Sequence, residues 1–317
     1  MRSVLALLAA IPLLAGSAFG WGCEGHQMVA LIARAHLTPA ASAAVDQLLR
    51  ENPIDPALNR FCKDRPNDLM ADAATWADDV KGTEKTGVWH YIDIPLAVSS
   101  GDAMKWCEPL GPSVDGKDRP GCIVNATEYE LKILRDPSQP AAGRAKALRY
   151  VIHFVGDIAQ PLHDTDNHDQ GGNCTRIRFF SDEKLQNLHG IWDYGLIAHD
   201  LAEKKETQPE YAAMLEKVFV SHWREWGDAK ADIVGWAREG HELAANVAYA
   251  DLKPPIPVAS SAAGLADKAA CNAGRESVEA MHIPIGDEYA AQVLPVIRQQ
   301  LAKAGFRLAG VLNQTFK

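Results

Sequence analysis

The stretch HFVGDIAQPLHD, residues 153–164, decides the fold because it ends the most regular apolar pattern in the chain. From residue 140 to residue 160 apolar side chains recur at helical spacing, which predicts a helix with one side buried in a core. Pro161 lacks the backbone N–H that a helix interior requires, so the helix should end before it. This segment indicates a helical core, and helical patterns continue on both sides of it.

Three further segments are predicted to be helices. Residues 38–51 begin with Thr38 as a cap and a proline in the first turn, followed by apolar residues at helical spacing. A second helix is expected at about 181–199. A third covers residues 287–316, where Pro295 predicts a kink.

Few segments show the pattern of a strand. Only WHYIDI at 89–94 and TRIRFF at 175–180 do so, and the segment 99–121, rich in Gly, Pro and Asp, has no periodicity and predicts a surface loop. No internal repeat or change of composition divides the chain. The sequence therefore predicts an all-α fold, with residues 21–317 as a single mainly helical domain that has a few short strands in its loops.

Residues 1–20 have the layout of a secretory signal peptide. Arg2 precedes the apolar run VLALLAAIPLLAG, and small residues lead to a cleavage site before Trp21. The apolar run is shorter than the roughly 20 residues that cross a bilayer. We therefore expect a secreted or periplasmic protein without a membrane segment, and we expect it to be a monomer.

The chain is acidic. Its formal net charge of -9 becomes -10 when Arg2 leaves with the signal peptide. Proteins that bind duplex nucleic acid usually neutralise phosphates with Lys and Arg. A polyanionic partner of this chain would need positive charge from another source, such as bound metal ions.

The six cysteines all lie outside the signal peptide, as expected for a protein exported to an oxidising compartment. Disulfides are the default interpretation of this even number, although the count alone does not give their connectivity. Cys107 and Cys122 flank the Gly- and Pro-rich loop and are the pair that we predict. The sequence has no CxxC pair, the motif that would indicate a redox or zinc-thiolate centre.

Two His-Asp pairs share the same spacing. His153 and Asp157 are four residues apart, so both leave one face of the predicted helix beside its apolar stripe. A single HxxxD is more often an ordinary hydrogen bond. A second pair, His189 and Asp193, together with His163, places nitrogen and carboxylate donors on adjacent helices, which is how metal sites are built in helical proteins.

Further donors lie upstream. Asp78, His90 and His26 precede these pairs, and cleavage would expose a free amino group at Trp21 that can chelate a metal. Imidazole and carboxylate donors without thiolate suit hydrolytic zinc. These donors are too many for one four-coordinate ion, so their number predicts a cluster in which a carboxylate bridges two metals.

The order of the motifs resembles that of the zinc-dependent, single-strand-specific nucleases of the P1/S1 type, which are related to bacterial zinc phospholipase C. The motifs that carry the resemblance are WGCEGH, WAD, WHYID, HFVGDIAQPLHD, GGN and NLHGIWD, between residues 21 and 193. The resemblance implies the helical fold of that superfamily. It also implies hydrolysis of single-stranded DNA and RNA to products with a 5′-phosphate, often with 3′-nucleotidase activity.

The resemblance also implies a ligand set for three zinc ions. Asp78, His90, His153 and Asp157 would hold the first, Asp157, His26 and the amino terminus at Trp21 the second, and His163, His189 and Asp193 the third. Zinc lowers the pKa of bound water to about 7, so a hydroxide can attack phosphorus near neutral pH.

Asp78, Lys81 and Asp157 are the predicted catalytic residues. Lys81 takes the place where the fungal members have arginine beside the scissile phosphate. The substitution keeps the positive charge but loses the bidentate fork of a guanidinium group.

Base recognition would fall to residues in two segments. By resemblance, Tyr91 takes the stacking position, and Asp93, Gly171, Gly172 and Asn173 meet the edge of the base. An aromatic platform suits unpaired bases, whose faces a duplex hides. The implied substrates are therefore single-stranded nucleic acids and nucleotides.

Three other functions fit parts of the pattern. A zinc phospholipase C shares the central motif, but its later helix pair typically ends in glutamate, whereas this chain has Asp193. A metallopeptidase would need HExxH, which His241 begins and Ala245 interrupts. A zinc-storing protein would need the ligands but neither Lys81 nor a base pocket.

Overall fold

The computed structural model describes residues 21–111, 120–259 and 281–317. Helices make up most of these ranges, which confirms the predicted all-α class with short strands in loops. The α-helices are α1 (Cys23–Ala35), α2 (Pro39–Glu51), α3 (Leu69–Ala73), α4 (Trp76–Val80), α5 (Ile123–Arg135), α6 (Ala141–Asp157), α7 (Leu188–Gly190), α8 (Leu196–Lys204), α9 (Gln208–Phe219), α10 (Trp223–Trp226), α11 (Ile233–Leu243) and α12 (Asp287–Thr315). The signal peptide predicted at residues 1–20 lies outside the described residues.

Short helical turns and strands connect these helices. The 3-10 turns are Gly87–His90, Ser100–Trp106, Pro161–His163 and Val220–His222, and π-helical turns cover Ile191–Gly195 and Ala244–Ala248. The strands are β1 (Arg176–Phe179), β2 (Gln186–Asn187) and β3 (Ile283–Ile285). Strand β1 lies in the middle of this small sheet, antiparallel to β2 and parallel to β3.

Helix α6 lies at the centre of the fold. Every side chain from Ala147 to Asp157 is buried, and the helix contacts α1, α2, α4, α5 and α12. A helix that is buried all round must have other elements on every side. The polar side chains of its last turns, His153 and Asp157, therefore point into the protein interior.

Helices α1 and α12 approach each other closely at a glycine. A Cβ atom at Gly305 would lie 2.5 Å from Cγ2 of Ile32, so a larger residue would push the helices apart. Helix α12 continues through Pro295 over 29 residues, and the kink expected there stays a prediction. None of the helices in the described ranges is both long and apolar enough to cross a bilayer.

Several sequence predictions are confirmed at the level of single elements. The helix expected at 140–160 forms as α6 and ends at Asp157, before Pro161. Thr38 caps α2, since its Oγ1 atom accepts a hydrogen bond from the backbone N–H of Ala41 at 3.2 Å. The strand expected at 175–180 forms as β1.

The strand predicted at 89–94 is wrong. The chain forms a 3-10 turn up to His90. The residues that follow form backbone hydrogen bonds with the segment after α6: the N–H of Ile92 donates to the carbonyl of His163 at 2.8 Å, and the N–H of Asp166 donates to the carbonyl of Ile94 at 2.9 Å. The alternation of apolar residues reflects the burial of Ile92 and Ile94 in this irregular segment, not a strand ladder.

Two other boundaries also differ from the prediction. The helix expected at 181–199 begins only at Leu188, because Asn187 caps it by accepting from the N–H of Gly190 at 2.7 Å, and β2 precedes it. The loop at 99–121 contains the 3-10 turn Ser100–Trp106, which packs on α11; there Ser100 Oγ donates to Glu242 at 2.8 Å.

The disulfide predicted between Cys107 and Cys122 is confirmed, with 5.2 Å between the two Cα atoms. A second disulfide, between Cys23 and Cys62, ties the start of α1 to the loop before α3. Cys174 is disulfide-bonded as well. The oxidising environment expected from the cysteine count is consistent with these bonds.

Candidate metal centre

The predicted ligands come from separate elements and meet around the end of α6. All of them are buried. His26 lies on α1, Asp78 on α4, His90 at the end of a 3-10 turn, His153 and Asp157 on α6, His163 in the turn after α6, His189 on α7 and Asp193 in the following π-helical turn. Packing of α1 and α4 against α6, together with the turns and short helices that follow, brings together side chains from seven elements.

The side chains His26, Asp78, His90, His153 and Asp157 form what we term the first ligand group. Potential ligand atoms of His26, Asp78 and His153 lie within 4.8 Å of one another, as do those of His90, His153 and Asp157. Asp157 lies between the imidazoles: its Oδ1 is 3.2 Å from Nε2 of His26 and its Oδ2 is 3.0 Å from Nδ1 of His90. One carboxylate thus faces donors on two sides, as a bridging ligand must.

The tautomer of His153 is set by a backbone carbonyl. Its Nδ1–H donates to the carbonyl oxygen of Ala74 at 2.7 Å. In the neutral ring Nε2 then presents the lone pair, and this atom lies 3.1 Å from Nδ1 of His90 and 3.1 Å from Oδ2 of Asp157. A carbonyl that fixes the far nitrogen of an imidazole is the usual outer partner of a metal-binding histidine.

Several atoms of the first ligand group are buried without a hydrogen-bond partner among the described residues. Nδ1 of His26 and Nε2 of His90 face no partner, and Nε2 of His26 and Oδ1 of Asp157 face each other at 3.2 Å without good hydrogen-bond geometry. Buried polar atoms nearly always have a hydrogen-bond partner, because burying a donor or acceptor without one costs about 1–3 kcal/mol. Such atoms, gathered at one point and all of a type that binds zinc, fit a metal site.

The side chains His163, His189 and Asp193 form the second ligand group, again with ligand atoms within 4.8 Å. His163 donates from Nδ1 to the carbonyl of His90 at 2.6 Å, and His189 donates from Nδ1 to that of Gly171 at 2.7 Å. The Nε2 lone pairs of the two rings then face each other at 3.1 Å. Two lone pairs at this distance repel unless a cation or proton lies between them.

Burial and neighbouring charges shift the pKa values of the groups inside the centre. Burial lowers the pKa of His26 to about 4, because the charged imidazole is poorly solvated there. Burial also opposes the charged form of His153, but the carboxylates of Asp157 and Asp78 raise the pKa of this histidine to about 9. Burial, reinforced by the same two carboxylates, raises the pKa of Asp193 well above its ordinary value. This balance of buried negative charge favours divalent cations in the site.

Lys81 lies at the edge of the first ligand group. Its Nζ atom donates to Oδ1 of Asp78 at 3.1 Å, and its side chain is 16% exposed. Burial alone would raise the pKa of Asp78, but the positive charges of His153 and Lys81 hold it below its ordinary value. The lysine therefore places a cation next to a ligand at the border with solvent.

The predicted start of the mature chain is held against the second ligand group. Trp21 is fully buried, and the N–H of Gly22 donates to the carbonyl of Asp193 at 2.8 Å. The next residue, Cys23, forms the disulfide to Cys62. The chelating role of the Trp21 amino group stays a prediction, since the expected cleavage site borders residues outside the described ranges.

The predicted base-binding residues Tyr91 and Asp93 follow directly on His90. Burial raises the pKa of Tyr91, and the carboxylates of Asp93, Asp166 and Glu108 act in the same direction. Three carboxylates therefore lie within electrostatic reach of the Tyr91 hydroxyl.

The glycine loop, residues 166–175, carries the other predicted substrate contacts. Gly171 and Gly172 both have positive φ angles, 58° and 88°, and a Cβ atom at Gly171 would lie 2.4 Å from the carbonyl of Leu162. The backbone N–H groups of the two glycines already donate within the protein, to Asp166 and Asp169. Of the predicted residues in this loop, the half-buried Asn173 is the one with a side chain, and its Nδ2 donates to the carbonyl of Gln170 at 2.8 Å.

Sequence reasoning missed the residues that hold the ligands in place. Gln160 is fully buried, and its Nε2 donates to Oδ1 of Asp193 at 2.6 Å. Asp166 and Asp169 fix the glycine loop through backbone N–H groups. Gln160 lies inside the quoted HFVGDIAQPLHD motif, so its position was a usable signal. Nothing in the spacing of Asp166 and Asp169 distinguishes them from ordinary loop residues.

Comparisons with known proteins give one family. The family model described as S1/P1 Nuclease matches residues 21–317. Endonuclease 2 of Arabidopsis thaliana is 30% identical over 299 residues, which cover 94% of this chain and 91% of the relative. Nuclease P1 of Penicillium citrinum is 27% identical over 306 residues (93% and 97%), and Nuclease S1 of Aspergillus oryzae is 26% identical over 318 residues (99% and 98%). The matched range contains every predicted ligand.

Proposed function

The chain belongs to the S1/P1 nuclease family and is a phosphodiester hydrolase, and on that premise we propose a more specific activity. The protein is a secreted, monomeric, zinc-dependent endonuclease that cleaves single-stranded DNA and RNA to products with a 5′-phosphate. The proposal includes removal of the 3′-phosphate from mononucleotides. The observation that carries it is the convergence of eight buried His and Asp side chains on the end of α6.

Three zinc ions are assigned to the two ligand groups. In this proposal Asp78, His90, His153 and Asp157 hold the first ion, Asp157, His26 and the amino terminus at Trp21 hold the second, and His163, His189 and Asp193 hold the third. The unsatisfied buried atoms of the first group and the facing Nε2 atoms of the second support this assignment.

Bound zinc would supply a nucleophile near neutral pH and positive charge for the departing 3′ oxygen. The residues of the chain place the substrate relative to that charge. Lys81, held 3.1 Å from Asp78, would contact a phosphate oxygen and add a positive charge at the open side of the centre. Its single ammonium group can do this without the two-point geometry of arginine.

Preference for single strands would come from base contacts beside the metal centre. Tyr91 would stack on an unpaired base, while Asp93 and Asn173 would contact the base edge and Gly171 and Gly172 would allow its close approach. Support comes from Asp166, which joins the two segments: its N–H donates to the carbonyl of Ile94 at 2.9 Å, and its carboxylate accepts from the N–H of Gly171. A paired base has no free face for such stacking.

Export fits the same proposal. Cleavage of residues 1–20 before Trp21 would expose the chelating amino group and deliver the protein to an oxidising compartment. The disulfides Cys23–Cys62 and Cys107–Cys122 are compatible with that compartment.

The test is an assay of purified, signal-cleaved protein on single-stranded DNA, single-stranded RNA, duplex DNA and phosphatidylcholine. We expect hydrolysis of both single strands that is lost in a chelator and restored by zinc, with three zinc equivalents by metal analysis. Turnover of phosphatidylcholine with inert nucleic acid would make the protein a phospholipase C instead. Zinc binding without any turnover would make it a storage protein.

A further inference from the structure

We propose that Asp169 is a positioning residue of this nuclease, which fixes His189 of the second ligand group through a single peptide group. The inference rests on the proposed zinc site. Asp169 lies in the glycine loop, 20 residues before His189 in the sequence, and it has no predicted role. It does not touch the ligand itself.

The Asp169 carboxylate is fully buried and accepts three hydrogen bonds. Its Oδ1 accepts from the N–H of Gly172 at 2.9 Å and from the hydroxyl of Tyr249 at 2.8 Å. Its Oδ2 accepts from the hydroxyl of Thr175 at 2.5 Å. A buried carboxylate is costly unless its oxygens accept hydrogen bonds, and these three bonds satisfy it.

The contact with Gly172 determines where the preceding carbonyl points. The N–H of Gly172 and the C=O of Gly171 belong to one planar trans peptide group, in which they point in opposite directions. With the N–H directed at Asp169, the carbonyl must face the other way. It accepts from Nδ1–H of His189 at 2.7 Å.

The chain of contacts therefore runs from a carboxylate through one peptide to an imidazole. Carboxylates that bond directly to a metal-binding histidine fix its tautomer and raise the basicity of the other nitrogen. Here the peptide group transmits the same effect, since hydrogen bonds in a chain polarise one another. The Nε2 atom of His189 is thereby directed at Nε2 of His163, 3.1 Å away, and at Asp193 Oδ2, 3.4 Å away.

The glycine loop is tied to the helix start at further points. Leu188 N donates to the carbonyl of Thr175 at 2.9 Å, and the carbonyl of Gly172 accepts from the N–H groups of Thr175 and His189 at 3.1 and 3.4 Å. Only glycine suits position 171, because its φ is positive and a Cβ atom would strike the carbonyl of Leu162. A rotated Gly171–Gly172 peptide would disturb both the ligand and the substrate loop.

The experiment compares Asp169→Ala and Asp169→Asn with the wild type and with Asp200→Asn. Asp200 is a matched control, since it is also buried and accepts from a tyrosine, Tyr211, but lies on α8 outside both ligand groups. The readouts are zinc content after dialysis against a graded series of chelator concentrations, kcat and KM on single-stranded DNA, and Tm.

For Asp169→Ala we expect one zinc equivalent to be lost at a chelator concentration about 10- to 100-fold lower than in the wild type, the range seen when outer partners of metal ligands are removed. The kcat should fall about tenfold or more, and KM should rise because the glycine loop shifts. Asp169→Asn keeps an oxygen that can accept from the N–H of Gly172, so it should retain most of the zinc that Asp169→Ala loses. Asp200→Asn should lower Tm and leave zinc content unchanged.

Wild-type protein that binds three zinc ions and cleaves single strands, alongside an Asp169→Ala variant with the same chelator profile, would overturn this inference alone. Equal zinc loss in Asp169→Ala and Asp200→Asn would also overturn it, because the effect would then be general destabilisation. Wild-type protein without zinc or nuclease activity would instead refute the proposed function.

Discussion

Gly156 leaves the space that the imidazole of His26 occupies. A Cβ atom at Gly156 would lie 2.8 Å from Nδ1 of His26 and 3.1 Å from its Cε1. The glycine lies in α6 between His153 and Asp157, where helix propensity favours alanine by about 1 kcal/mol. The missing side chain therefore lets α1 bring His26 against the last turn of α6.

Replacement of Gly156 by alanine should push His26 away from Asp157. We expect Gly156→Ala to lose one zinc equivalent at a chelator concentration at least tenfold lower than in the wild type, with a comparable fall in kcat. Overpacking of this kind costs roughly 1–3 kcal/mol of folding free energy. Metal analysis and steady-state kinetics on single-stranded DNA measure both effects.

Gly143 provides the control on the same helix. A Cβ atom there meets nothing within 4 Å, so Gly143→Ala should keep its zinc and be as stable as the wild type or slightly more stable. Zinc retention in Gly156→Ala equal to that in Gly143→Ala would show that His26 tolerates the displacement or binds no metal.

The Cys23–Cys62 disulfide should matter for metal binding as well as for stability. Cys23 lies next to the predicted N-terminal chelate, and the neighbour of Cys62, Phe61, donates its N–H to Asp79 at 2.6 Å, beside the ligand Asp78. The bond thus joins two ligand-bearing segments. We expect the double variant Cys23→Ser/Cys62→Ser to lose about 4 kcal/mol of stability by loop entropy and to bind zinc at least tenfold more weakly.

The second described disulfide separates these two effects. The variant Cys107→Ser/Cys122→Ser opens a loop of 15 residues and should lose about 3 kcal/mol. Only one end of this bond lies near a ligand, since Ile123, next to Cys122, donates to the carbonyl of Tyr91 beside His90, so zinc affinity should fall less than in the first double variant. Chemical denaturation and a zinc competition assay give the two quantities. Equal zinc affinity in both double variants would contradict a special role for Cys23–Cys62.

How much of the centre could be predicted depends on the distance between ligands in the sequence. His153 with Asp157, and His189 with Asp193, are four residues apart, so local helical geometry alone places each pair on one face. His26 comes from another element, and its convergence on the same point followed only from the family resemblance. Packing of separate helices is a long-range property that periodicity does not encode.

The missed features share a physical cause. The Cys107–Cys122 bond closes a short loop and was predictable, whereas the Cys23–Cys62 bond spans 39 residues and depends on tertiary packing. The role inferred for Asp169 depends on the orientation of one peptide group, which no side-chain pattern records. The strand predicted at 89–94 failed because alternating burial also arises in an irregular segment that packs on a loop.

Acid should destabilise the protein partly through Asp200 on α8. Burial alone would raise the pKa of Asp200, but hydrogen bonds from Arg298, at 2.6 and 2.7 Å, and from Tyr211 lower it below its ordinary value. A carboxylate with a lowered pKa stabilises the fold above its unfolded pKa, about 3.9, and this contribution is lost as pH falls through the folded pKa. The loss should therefore occur below about pH 4.

The variant Asp200→Asn tests the direction of this pH dependence. At pH 7 we expect the variant to be less stable than the wild type by about 2 kcal/mol, the scale of hydrogen bonds to a charged group. The difference should shrink as pH falls below about 4, because the wild-type carboxylate becomes protonated. Denaturant unfolding of both metal-free proteins at several pH values gives the difference directly, and a gap that widens in acid would contradict the assignment.

An additional residue before Trp21 should damage the centre more than its size suggests. Trp21 is fully buried, and its Cβ atom lies so close to Gly25 that a Cβ atom there would be 2.6 Å away. The N–H of Gly22 donates to the carbonyl of Asp193. A methionine placed before Trp21 would turn the proposed chelating amine into an amide and would have to enter this packed region.

We expect one zinc equivalent to be lost and kcat to fall at least tenfold, while a methionine added after the exposed Lys317 changes neither. Because both extended proteins carry the same extra residue, metal analysis and kinetics on the pair isolate the effect of extending the N-terminus, and full zinc content in the N-terminally extended form would exclude the Trp21 amine as a ligand.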